Sequence, residues 1–157
     1  MLDIVIIAIG KIKEDFYHQA FQEYLKRLSP YTRIKIEELK AESFKDIADK
    51  VKSKEIEGEK ILKILNNYPE AEVFILDERG TEFISIDLAA RLKKNQTKKI
   101  VFVVGGTLGL SLAILNNQRF HRLSLSKMTL PHELARVVLA EQLYRSICIN
   151  RGKDYHY

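Results

Sequence analysis

Ile100-Val101-Phe102-Val103-Val104 is an unbroken apolar run that ends at Gly105-Gly106. A strand with one wet face would alternate; a continuous run of this kind demands cover on both faces. Leu2–Ile9 repeats the pattern and ends at Gly10. Such strands belong to parallel sheets sandwiched between helices, which restricts the chain to the α/β class.

The rest of the chain agrees. Glu14–Leu28 carries Phe16, Ala20, Phe21, Tyr24, Leu25 and Leu28 at helical spacing, and Ser29-Pro30 stops it. Arg33–Leu39 alternates charged and aliphatic residues, as a half-exposed strand does. Ser43 to about Asn66 reads as a charged helix with one apolar stripe through Phe44, Ile47, Val51, Ile61 and Leu65. Gly58 interrupts it, at a cost of ~1 kcal/mol relative to alanine, which points either to close packing at that point or to neutral drift. Val73–Leu76 is a short strand, Asp77–Gly80 a turn, and Ser85 a cap for a helix over Asp87–Lys94. A short helix near Leu110–Asn116, a strand at Leu123–Leu125 and a final helix from Pro131 to about Asn150 complete the order. The expectation is one domain over residues 1–157, a mainly parallel sheet with helices on both faces.

No apolar run approaches the ~20 residues of a membrane span, and Met1-Leu2-Asp3-Ile4 lacks the basic start of a signal peptide. The lone cysteine, Cys148, supports neither an internal disulfide nor a cysteine zinc site, and the four histidines lack metal-ligand spacing. A cytoplasmic, metal-free protein is expected. Of the net charge of +5, most lies from Asn117 onward, where seven basic residues face three acidic ones; Leu88 to His132 holds no acid at all. A basic region beside a glycine loop favours a polyanion such as RNA or DNA.

The glycine loop Gly105-Gly106-Thr107-Leu108-Gly109 lets backbone approach a ligand, and the Leu123-to-His132 passage forms a second loop. Loops at the carboxyl ends of strands are where open α/β sheets bind ligands. Neither a Gly-Lys-Ser/Thr phosphate loop nor the dinucleotide fingerprint with its downstream acid is present. No Gly-x-Ser-x-Gly elbow occurs either. The last helix is apolar around its circumference, through Leu134, Val137, Val138, Leu139, Ala140, Leu143, Tyr144, Ile147 and Cys148. It needs two surfaces to bury. One is its own sheet; a second copy of the chain is the expected other, with deep burial in the same copy as the alternative.

Val103-Val104-Gly105-Gly106, Leu125-Ser126-Lys127-Met128-Thr129-Leu130-Pro131-His132, Arg136-Val137, Glu141-Gln142-Leu143-Tyr144-Arg145 and the Asn150-Arg151-Gly152 ending with Tyr155-His156 together carry a resemblance. So do Ala8-Ile9-Gly10-Lys11 and Ile56-Glu57-Gly58-Glu59. They resemble the bacterial ribosomal RNA large-subunit methyltransferase H family, of the SPOUT superfamily, over essentially the whole chain. That resemblance implies a homodimer with a C-terminal trefoil knot, a feature general folding rules would not have supplied. It implies methylation of N3 of a pseudouridine in helix 69 of 23S ribosomal RNA, on the 70S ribosome, with S-adenosylmethionine as donor. Cofactor contacts carried over by position are Leu76, Gly105, Leu125, Ser126, Lys127, Met128, Thr129 and Leu130.

Leu76, Leu125 and Leu130 suit an apolar slot for the adenine ring. Ser126 and Thr129 either contact the cofactor or close turns. Arg145, Tyr155 and His156 are the expected catalytic residues. Arg145 would stabilise the developing anion, Tyr155 would stack on or hydrogen-bond the base, and His156 would move a proton, with bulk water as the alternative acceptor. The plain alternatives are an Arg145 that only pairs with Glu141 and a frayed tail. His132 reads as structural rather than as a base.

Overall fold

The computed structural model describes residues 1–94 and 98–157. Its elements are β1 (Leu2–Ile9), α1 (Asp15–Leu28), β2 (Thr32–Leu39), α2 (Ile47–Leu65), β3 (Glu72–Glu82), α3 (Ser85–Lys94), β4 (Ile100–Val104), α4 (Leu112–Leu115), β5 (His121–Ser124) and α5 (His132–Asn150). The five strands form one sheet in the order β2-β1-β4-β3-β5. Each pairing is parallel, with Ile4 opposite Ile100 and Phe74 opposite Phe102.

The apolar runs are covered on both faces, as their composition requires. On one face, Ile4, Ile6, Phe74, Ile100 and Phe102 pack with Phe21 and Leu28 of α1, Leu88 and Leu92 of α3, and Leu139 and Leu143 of α5. On the other, Val5, Ile7, Val73, Ile75, Val101 and Val103 pack with Ile61 and Leu65 of α2 and Ile114 of α4. Phe74 and Phe102 stack with centroids 5.3 Å apart. Every residue of β4 is buried.

Four local expectations are corrected. The helix expected from Ser43 starts at Ile47, because Asp46 caps it by accepting from the Asp49 N–H at 2.8 Å. Residues 42 and 43 instead fold back on α2. Ser53 Oγ donates to the Ser43 carbonyl at 2.8 Å, and Glu57 accepts from the Glu42 N–H at 2.9 Å. The first half of the expected stripe is therefore exposed at Phe44, Ile47 and Val51. Phe16 is likewise exposed on α1.

Asp77–Gly80 lies within the span of β3 rather than after it. Leu76 and Thr81 both register with Leu123, so these four residues bulge out of the ladder between them. Ser85 opens α3 instead of capping it from outside, and its hydroxyl donates to Gln142 of α5 at 2.8 Å. Gly58 marks close packing: a Cβ there would lie 2.2 Å from Ser111 Oγ, so α2 meets the start of α4 at a distance only glycine permits.

Candidate active site

The carboxyl ends of β3, β4 and β5 meet at a cleft of about 900 Å³. Its walls are the end of β3 with its bulge, the glycine loop after β4, the loop from Leu125 to Pro131, and the first turn of α5. Of the expected cofactor residues, Leu76, Gly105, Leu125, Ser126, Met128, Thr129 and Leu130 all line it. Lys127 does not; it is exposed and reaches Glu82 at 3.5 Å. Its ammonium is drawn to the carboxylate at the end of β3 rather than into the slot.

The glycine loop is shaped by a tight closure. Gly109 donates to the Gly106 carbonyl at 3.0 Å and adopts a φ of 74°, the left-handed conformation that disfavours other residues. A Cβ on Gly105 would sit 3.0 Å from Leu110 Cγ, and one on Gly106 would sit 2.8 Å from Ile9 Cγ2. A side chain at Gly106 would thus force Ile9 to shift, and one at Gly105 would press on Leu110, so packing beneath the cleft favours both glycines.

The facing loop is held by its own hydroxyls. Ser124 Oγ donates to the Ser126 carbonyl at 3.0 Å, and Ser126 Oγ accepts from the Met128 N–H at 3.0 Å. Thr129 Oγ1 bonds Glu78 of the β3 bulge. Arg122 of β5 clamps the same bulge by donating to Asp77, with Nε 2.6 Å from Oδ2. Ser126 thus closes a turn within its own loop, while Thr129 ties that loop across to the β3 bulge, and both bonds brace the walls of the slot between Leu76, Leu125 and Leu130.

Asp77, Glu78, Arg79, Arg122, Lys54 and Leu112 also line the cleft. Sequence reading treated the first three as a plain turn and missed the others. Only the charged tetrapeptide following a buried strand hinted at them. His132 lines the cleft as well, and burial holds its imidazole below the usual histidine range. The neutral ring is the form that lies there at pH 7.

Behind the first turn of α5, Arg136 is fully buried. It donates to Glu38 at 2.9 Å and to the carbonyls of Ile9 and Gly10 at 3.0 and 2.6 Å. Glu133 accepts from the Glu14 N–H at 3.1 Å. These contacts moor the start of α5 to the end of β1 and the start of α1.

Arg145, Tyr155 and His156 are brought together, but away from the cleft. The Arg145 guanidinium lies 4.8 Å from the Tyr155 ring centroid, and its Nη1 is 3.3 Å from both the Tyr155 carbonyl and His156 Nδ1. Glu141 accepts from Arg145 Nε at 2.9 Å and from the Tyr155 hydroxyl at 3.3 Å. Tyr155 also packs edge-on to Tyr144, with centroids 4.9 Å apart. The tail is docked rather than frayed. Lys153 and Arg151 sit over the Tyr31 ring at 4.5 and 4.7 Å. Burial, followed by the hydrogen bond with Tyr24 and the charge of Glu141, pushes the Tyr155 phenol well up, so it is a donor at neutral pH and not a base. None of the three residues lines the cleft. Arg145 is 13 residues beyond His132 on α5, about 20 Å along the helix axis.

The fit to an adenosyl cofactor rests on this geometry. A slot walled by leucines and edged by the backbone of the glycine loop can take a flat apolar ring and hydrogen-bond its edge. Among the described residues no cluster of three or more His, Cys, Asp or Glu could hold a metal ion. Among them, too, no helix is long and apolar enough to cross a membrane.

Known proteins give the same picture. A family model described as a predicted SPOUT methyltransferase matches residues 2–156. A ribosomal RNA large subunit methyltransferase H of Kosmotoga olearia is 44% identical over 160 residues, covering 99% of this chain and 100% of its own length. The protein of that name from Bacillus thuringiensis subsp. konkukian is 42% identical over 161 residues, covering 99% of each. Among solved structures, a probable methylase family protein from Haemophilus influenzae superposes with a TM-score of 0.55 at 15% identity, over 99% of this chain and 70% of that one, a likeness of fold. With the family model spanning nearly every residue and relatives above 40% identity end to end, the chain belongs to the SPOUT methyltransferase family.

Proposed function

We propose that this protein transfers a methyl group from S-adenosylmethionine to N3 of a pseudouridine in the helix 69 loop of 23S ribosomal RNA, on the assembled 70S ribosome in the cytoplasm. The observation that carries the reading is the cleft: seven residues expected to hold the cofactor, separated in sequence by up to 54 positions, converge on one slot at the strand ends. The names of the full-length relatives, which specify the large-subunit ribosomal RNA, support the substrate class. The C-terminal trefoil knot belongs to the same reading.

The cofactor supplies an electrophilic methyl on a sulfonium. This chain's residues do the rest. Leu76, Leu125 and Leu130 would grip the adenine ring, and backbone of the glycine loop and of the 125–130 loop would hydrogen-bond its edge. Positioning of the two reactants supplies much of the rate. Arg145, whose hydrogen bond to Glu141 raises its pKa further, stays cationic and stabilises the N3 anion as the proton departs. Tyr155 donates to or stacks on the base, and His156 accepts the proton.

That trio lies far from the cleft of its own chain, and in this reading a second copy brings it there. The working form is a homodimer in which the tail of one subunit completes the site of the other. Leu134, Val138 and Ile149 remain partly exposed on α5, and Ile84 and Ile86 are exposed at the start of α3. This apolar surface is available for the pairing. Single-turnover methylation of purified 70S ribosomes with labelled S-adenosylmethionine tests the proposal. Label should appear in 23S ribosomal RNA, and an unlabelled ribosome would refute it.

A further inference from the structure

A second cavity of about 550 Å³ adjoins the cleft. The two share Arg79, Leu115 and Arg122 as a common wall. Its walls are the β3 bulge, through Arg79, Gly80 and Thr81, and the turn between α4 and β5, through Asn116, Asn117, Gln118 and Phe120. A Cβ on Gly80 would lie 2.7 Å from the Arg122 carbonyl carbon and 2.8 Å from Leu123 N. The bulge thus rests directly on the β5 backbone, and only glycine allows it.

No carboxylate lines this cavity. Arg122 is neutralised by Asp77, but the exposed Arg79 guanidinium has no hydrogen-bond or ion-pair partner among the described residues. Arg119, on the same turn, donates to the carbonyls of Tyr68 and Pro69 at 3.0 and 2.8 Å, so no acid offsets its charge there. The side-chain amides of Asn116 and Gln118 are also unpaired among the described residues, while Asn117 uses its oxygen to accept from the Arg119 N–H at 3.0 Å. One unopposed cation and a set of amides that both donate and accept are the groups that bind a phosphodiester and read a base edge.

We propose that this cavity binds the nucleotide of the RNA strand next to the target base, with Arg79 on its phosphate and Asn116 and Gln118 on its base or sugar. The inference rests on the RNA-methylating reading of the cleft: a strand whose target base enters the first cavity must place a neighbour beside it. A polar, positively charged hollow excludes an apolar occupant and suits that neighbour.

The test uses the full-length protein and 70S ribosomes from a strain lacking the modification. Arg79→Gln should raise the KM for ribosomes about tenfold. It should also lower the slope of log(kcat/KM) against log salt by about 0.7, the loss of one single-strand phosphate contact. The double variant Asn116→Ala with Gln118→Ala, at residues that line only the second cavity, should raise KM several-fold with the salt slope and the S-adenosylmethionine Kd unchanged. A wild-type enzyme that methylates ribosomes, beside variants with unaltered KM and slope, overturns this inference alone. A double variant with weakened cofactor binding and unaltered KM assigns the cavity to the cofactor's amino-acid end and also overturns it. A wild type inactive on these ribosomes refutes the functional reading, and the inference with it.

Discussion

Arg136→Met separates a structural clamp from a surface ion pair. The arginine is fully buried, and its guanidinium joins α5 to the ends of β1 and β2 through Ile9, Gly10 and Glu38. Methionine replaces the stem but none of the donors. Glu38 is 31% exposed, so its carboxylate regains water and contributes little to the loss. The Ile9 carbonyl, in a residue 1% exposed, loses its side-chain donor in the interior, at ~1–3 kcal/mol. Loss of the charged bond to Gly10, a half-buried residue, adds about 1.5 kcal/mol, the low end for a bond from a charged donor. The total is about 3.5 kcal/mol, short of unfolding a domain of ordinary stability. For a chain of this size it corresponds to a Tm lower by about 7–14 °C. Urea unfolding followed by circular dichroism, at one fixed protomer concentration, measures it, with an unchanged m-value expected. A midpoint equal to or above wild type would refute the clamp, as it would if a buried charge were merely tolerated there.

Three further outcomes follow from the site. Gly105→Val, whose Cβ already meets Leu110 at 3.0 Å, should weaken S-adenosylmethionine binding at least ~10-fold in calorimetry, through overpacking beneath the slot and methyls within it. Truncation before Asp154 should abolish methyl transfer while leaving cofactor affinity intact. Mixing that truncation with Gly105→Val should then restore about a quarter of wild-type activity, from heterodimers with one complete site. No restoration would place the tail in the site of its own chain. His132, whose pKa is held below the ordinary histidine value of 6.5 mainly by burial and also by the charges of Arg136 and Lys13, contributes stability that is fully present above pH 6.5. That stability is lost as pH falls through the lower folded pKa. His132→Gln should flatten this acid-side loss, and an NMR titration midpoint above 6.5 would contradict it.

The sheet was legible because its signal is one-dimensional. Apolar runs at Leu2–Ile9 and Ile100–Val104 require cover on both faces, and the structure provides it. The cleft was legible through the string from Leu125 to His132 together with Gly105. What failed depended on contacts distant in sequence. The bulge at Asp77–Gly80 exists because Arg122 and Thr129 bind its acids, and a local reading sees only a turn. Phe44, Ile47 and Val51 fit a helical stripe, yet the segment before Ile47 folds back and leaves them exposed. Arg136 carried no sign in sequence that it would be buried. Lys127 sits inside a string whose other members line the cleft, yet its ammonium is drawn to Glu82 instead.

The central claim is a modified base, and the base can be measured directly. Nucleoside mass spectrometry of 23S ribosomal RNA from a strain in which this gene is deleted should show the loss of N3-methylpseudouridine from the helix 69 fragment. Re-expression of the wild type should restore it, and the Gly105→Val protein should not. Retention of the methylated nucleoside in the deletion strain would contradict the account.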